Sequence, residues 1–198
     1  MVGNALFIRE ALSHKINIAM SKNVIINFVL FQIGWFACVL GAAKQWPWVG
    51  VIFMLLFLVW HLSQALRAKP EIILVIITVI IGGIFDQIMT RNHLLTYQSH
   101  GWGNALPAVW ILALWAEFAM ILNVSLRWMR KRWLIAILFG AIGGPLAYIG
   151  AAKLGAVTLD APQLSYVALS VGWAIITPLL LILSEKFDGF KPLKLTKI

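Results

Sequence analysis

A single cysteine, Cys38, occurs in 198 residues, so no disulfide can close within the chain and a redox-active thiol pair is excluded. Its place inside the first apolar stretch makes it a small packing residue. Acidic residues are nearly as scarce: seven Asp and Glu face sixteen Lys and Arg, and charged residues make up only 12% of the chain. The four histidines, His14, His61, His93 and His100, show no His-x-x-x-His or clustered spacing. No metal site of the membrane-desaturase or metalloprotease kind is therefore expected, and neither a metal nor another cofactor is predicted. A continuous basic face is also missing. Despite a net charge of +9, the cations border apolar stretches, which argues against a nucleic-acid partner. The first 22 residues lack a small-residue cleavage site, so they are not read as a cleaved signal peptide.

What remains is overwhelmingly apolar, with 62% hydrophobic residues and a mean hydropathy of +0.91. Six stretches, at 23–41, 47–66, 71–89, 106–129, 133–152 and 163–184, are each long enough to cross a hydrocarbon core of ~30 Å at ~1.5 Å per residue. The expected fold is an all-α polytopic membrane bundle of six transmembrane helices. Thirteen Lys and Arg fall on one side of it; Lys44, Arg91 and Lys153 alone fall on the other. The positive-inside rule then puts both termini in the cytoplasm, with membrane lipids as the surroundings of the bundle. Trp46, Trp48 and Trp102 near one surface, and Trp128 and Trp133 near the other, fit interfacial anchors.

Three regions follow. Residues 1–22 repeat Ile8, Leu12, Ile16 and Ala19 at helical spacing, as an interfacial helix on anionic headgroups would, with a disordered tail as the alternative. Residues 23–185 form the membrane domain, and 186–198 a basic cytoplasmic tail. The loop 90–105, with Tyr97, Gln98 and Trp102, is long enough to cap a cavity.

Chemistry is sought in the polar residues held within the spans, because each must be paired, hydrated or neutral there. Depth sorts them. Asn27, His61, Gln64, Asn123 and Arg127 lie toward the cytoplasmic side and could converge. Gln32 and Glu117 lie near the middle. Asp86 and Gln87 lie toward the outer side, with Tyr148 at a depth that permits a Tyr–Asp hydrogen bond. Asp86, Glu117 and His61, on three different spans, are the expected acid–base groups, with Asn27, Gln32, Asn123 and Tyr148 as hydrogen-bonding partners of a ligand or of one another. Ala136, Gly140, Gly144, Tyr148 and Ala152 form a stripe in span five that allows close helix approach. Gly143-Gly144-Pro145 and Thr177-Pro178 predict kinks or a local opening of the helices.

The run Phe31-Gln32-Ile33-Gly34-Trp35, with Asn27, Glu71, Gly82…Asp86, Pro107…Trp110…Trp115 and Gly143-Gly144-Pro145…Tyr148, resembles a bacterial inner-membrane family known as domain of unknown function 2878. The resemblance extends over residues 23–185 and singles out Asn27, Gln32, Trp35, Glu71, Asp86 and Tyr148. It implies the same helical fold and, because members are encoded near cyclopropane-fatty-acid-synthase-like and other lipid-modification proteins, a part in phospholipid acyl-chain modification. Two other classes fit the residues. One is a small proton-linked transporter or channel-like bundle, which should bring an inverted repeat that is not visible here. The other is a noncatalytic scaffold that recruits a soluble lipid-modifying enzyme to its basic face, in which the intramembrane carboxyls would be dispensable.

Overall fold

A computed structural model describes residues 2–103 and 105–191, with side chains described from Lys22 onward. Six α-helices are present among the described residues: α1 (Val2–Ala43), α2 (Trp48–Gln64), α3 (Ala68–Arg91), α4 (Val109–Leu122), α5 (Trp133–Lys153) and α6 (Pro162–Lys186). Their boundaries follow local chemistry. α1 ends where Gln45 takes a positive φ of 64° and Pro47 turns the chain into α2. Pro162 opens α6, where its missing N–H is no loss. α1 runs unbroken from Val2 into the first apolar stretch; the side chains of the proposed interfacial segment, and Lys194 and Lys197 of the basic tail, fall outside the described residues.

Four helical segments among the described residues are long and apolar enough to cross a membrane: Lys22–Ala43, Ala68–Arg91, Trp133–Lys153 and Pro162–Lys186. α2 and α4 are apolar but shorter, at 17 and 14 residues. The fourth stretch was expected to continue to residue 129, but its helix stops at Leu122 and the chain continues through a short 3-10 turn at Arg127–Met129. The reason lies in position. Twelve of the fourteen residues of α4 are buried, because α1, α2, α3 and α6 surround it. Such a helix is apolar all round without having to meet the full thickness of a bilayer. The outer helices instead turn Val59, Leu56, Leu134 and Ile175 outward, as a lipid-facing surface would.

The all-α expectation needs one addition. Strands β1 (Leu95–Tyr97) and β2 (Val157–Leu159) pair antiparallel with Leu95 opposite Leu159, tying the α3–α4 connection to the α5–α6 turn. Leu95 and Tyr97 point inward while Thr96 points out, where it donates to Asp160 at 2.7 Å. We call this the ladder end, and the opposite end, with Arg67, Arg127 and Arg130, the basic end. Each of α5 and α6 continues through its proline, Pro145 or Pro178. The two helices pack closely along their lengths, which holds each ladder together across its missing bond.

Candidate functional site

At the basic end, the short α2–α3 connection forces His61 and Glu71 together. Their Nε2 and Oε2 atoms lie 2.9 Å apart, and both side chains are buried. The other Glu71 oxygen accepts from Asn123 Nδ2 and from the backbone N–H of Gly189, each at 2.6 Å. Asn123 also donates to the Phe187 carbonyl and accepts from Arg130. Arg130 bonds Asp188 at 2.8 Å, and Arg127 pairs with the same carboxylate. Arg67 reaches the Asp188 carbonyl at 2.7 Å. This network joins α2, α3 and α4 to the turn that follows α6. Two residues grouped with it by depth lie elsewhere: Gln64 stays exposed against Asn23 and Ser63, and Asn27 binds Ser125 and the Met120 carbonyl, fastening α1 to the end of α4.

Burial alone would raise the Asp188 carboxyl, but the Arg130 hydrogen bond and the charges of Arg127 and Arg130 outweigh it and hold the group below the ordinary carboxylate range. A carboxyl so depressed stabilises the fold fully above its unfolded pKa of ~3.9 and loses that contribution as pH falls through its lower folded value. The melting temperature of purified wild type should therefore fall on acidification below about pH 4 more steeply than that of Asp188→Asn. Parallel curves would show that the pair contributes nothing.

Near the ladder end, Asp86 is fully buried and accepts three hydrogen bonds. Tyr97 and Tyr148 donate to Oδ1 at 2.6 and 2.5 Å, and Trp115 Nε1 donates to Oδ2 at 2.5 Å. The pairing with Tyr148 is the one their depths suggested. Gly82, one turn before Asp86, makes the third bond possible: a Cβ there would overlap the Trp115 indole, so only glycine lets the ring lie on α3. Burial, and then the Asp86 charge, hold the Tyr97 phenol well above its usual range, which keeps it a donor.

The expected acid–base trio does not assemble. Glu71, the partner of His61, and Asp86 are fifteen residues apart on α3, about 22 Å at ~1.5 Å per residue. Glu117 is two residues from Trp115 and so faces away from Asp86. Its carboxyl instead fills the slot left by Gly34 on α1, fully buried and with no hydrogen-bond partner at either oxygen among the described residues. Depth gave one coordinate of each residue; the face of the helix decided the rest.

Between α1 and α5 the structure opens into a cleft of about 640 Å³, floored by α4. Its rims are apolar and outward-facing, with Phe28 and Phe36 on α1 and Phe139 and Leu146 on α5. Toward the ladder end Trp35 reaches across to Gly150, within 3.4 Å of where a Cβ would stand, and bridges it. Gln32 lines the cleft and makes no side-chain hydrogen bond to any described residue. Of His61, Asp86, Glu117 and Tyr148, only Tyr148 lines it, and Trp115 does so too. Asp86 thus sits behind the wall and fixes two of its side chains. Trp115 stacks on Trp173 of α6, with centroids 4.7 Å apart. Trp173 and Asp188 were not singled out from sequence, while Trp115 entered only through the family resemblance and Tyr97 only through the loop 90–105; the nearness of Asp188 to a basic run was the one signal that could have marked it.

A family model described as "Protein of unknown function (DUF2878)" matches residues 24–179, more than three quarters of the chain. The cleft floor and the Asp86 cluster lie within the match, and Asp188 lies beyond it. No curated protein and no solved structure matches.

Proposed function

The chain belongs to the DUF2878 family of proteins of unknown function, and we propose that it is a bacterial inner-membrane protein that draws one acyl chain of a membrane lipid into the α1–α5 cleft and serves phospholipid acyl-chain modification. The observation that carries this reading is the lateral opening of that cleft. A pocket for a soluble metabolite opens to water, whereas this one opens between outward-facing apolar rims. Its length suits the occupant. Along α5 it runs from Phe139 to Ala151, about 18 Å at ~1.5 Å per residue, close to the half-thickness of a ~30 Å core that one chain spans. In this arrangement six spans place both termini in the cytoplasm, as the charge distribution favours. Tyr148 is the group that meets the chain, Asp86 is its positioning residue, and Gln32 offers the cleft an amide. His61 and Glu71 hold the basic end together.

A second reading rests on Glu117: a buried carboxyl with no partner among the described residues is what a proton-linked transporter would use. One experiment separates the two. Lipids of cells lacking the protein are profiled by mass spectrometry after complementation with wild type, Gly143→Phe or Glu117→Gln at equal membrane abundance. Gly143 is the plug of choice because an added Cβ there meets nothing within 4 Å. Wild type should restore the acyl-chain profile, Gly143→Phe should not, and Glu117→Gln should. An acyl-chain profile indifferent to the protein would sink the lipid reading, and failure of Glu117→Gln alone would favour proton coupling.

A further inference from the structure

The two ends of the cleft differ in charge. At the ladder end Trp35 and Gly150 bridge it. At the basic end its lining includes Trp128, and the Arg132 guanidinium lies over that ring, 5.7 Å from its centroid. The neighbouring cations are already engaged: Arg127 and Arg130 bind Asp188, and Lys131 lies 3.8 Å from Glu185 on the surface. Arg132, by contrast, has no acidic partner among the described residues. A guanidinium held on an aromatic ring at the mouth of an apolar cleft is oriented for a phosphate. Trp128 does two things at once, contacting the chain side of the cleft and fixing the cation at its rim.

Building on the lipid reading of the cleft, we infer that its ligand is an anionic phospholipid, bound with its phosphate on Arg132 at the basic mouth and one acyl chain running toward Tyr148. The register follows from α5. Arg132 precedes the helix and Tyr148 lies sixteen residues further on, about 24 Å at ~1.5 Å per residue. The Tyr148 hydroxyl therefore meets the distal part of the chain, far from the glycerol ester. Chemistry at this site is directed at the hydrocarbon and not at ester cleavage.

The test uses the full-length protein in nanodiscs holding equal amounts of phosphatidylglycerol and phosphatidylcholine, followed by transfer to detergent and quantification of the lipid that stays bound. Wild type should retain phosphatidylglycerol over phosphatidylcholine by about fivefold, the factor that one basic residue near an anionic surface provides. Arg132→Gln should bring that ratio close to one with total bound lipid unchanged. Gly143→Phe should lower the total without altering fold, checked by circular dichroism. Lipids with brominated distal carbons should quench tryptophan fluorescence in wild type but less in Gly143→Phe. An unchanged ratio in Arg132→Gln, or no preference in wild type, overturns the headgroup assignment while leaving the cleft reading intact. Equal retention by wild type and Gly143→Phe defeats the cleft reading itself. Displacement of the bound lipid by inorganic phosphate would mark Arg132 as a site for free phosphate and also overturn the inference.

Discussion

Asp86→Ala is expected to cost the bundle about 3 kcal/mol or more, since each stranded buried donor costs about 1–3 kcal/mol. The carboxylate accepts from Tyr97, Tyr148 and Trp115, and all three donors lie at positions less than a tenth exposed. Hydrogen bonds between membrane helices are often worth less, averaging about 0.6 kcal/mol, because the separated helices find other partners. Three donors converging on one acceptor from α4, α5 and the β1 strand have no such recourse. Asp86→Asn should fall between wild type and alanine: its carbonyl still accepts from the two tyrosines, but its amide then meets the Trp115 N–H donor to donor. Thermal melts followed by tryptophan fluorescence in detergent should rank wild type above Asn above Ala. An Ala variant within about 1 kcal/mol of wild type, a difference no larger than one ordinary hydrogen bond, would show that the cluster does not hold the fold.

The same cluster shows how far the sequence could be read. Asp86 and Tyr148 were pairable because rise per residue fixes depth in a helix of known direction. Trp115 was not, because a tryptophan within an apolar stretch is equally at home facing lipid or neighbouring helices. Tyr97 reaches Asp86 only because β1 pairs with β2, a three-residue ladder too short to register against helical periodicity. Asp86, Glu117 and His61 appeared to form one set because their ionisable side chains were all that linked them, across three different depths. α4 displayed the same ambiguity in length, since an apolar run reads alike whether lipid or protein surrounds it. By contrast, the His61–Glu71 pair was within reach: three residues separate α2 from α3, and a connection that short brings the flanking turns together.

Gly144→Ala is expected to damage both the fold and the cleft, whereas Gly143→Ala should leave both nearly unchanged. The two glycines are neighbours, yet a Cβ at Gly144 would overlap the Trp173 indole while one at Gly143 meets open space. Gly140, one turn earlier, is barred in the same way by the Trp173 carbonyl. These two positions set how closely α5 approaches α6, the use expected of a small-residue stripe. Overpacking of this kind costs about 1–3 kcal/mol, but here it also has a path. Trp173 stacks on Trp115, and Trp115 donates to Asp86, so displacing the first ring displaces the wall that Asp86 holds in place. Gly144→Ala should therefore lower the melting temperature, weaken the near-ultraviolet signal of the stacked indoles and reduce bound lipid together. Loss of stability with the indole signal and lipid retention intact would show that the seam and the cleft are independent, and that Asp86 positions Tyr148 without help from α6.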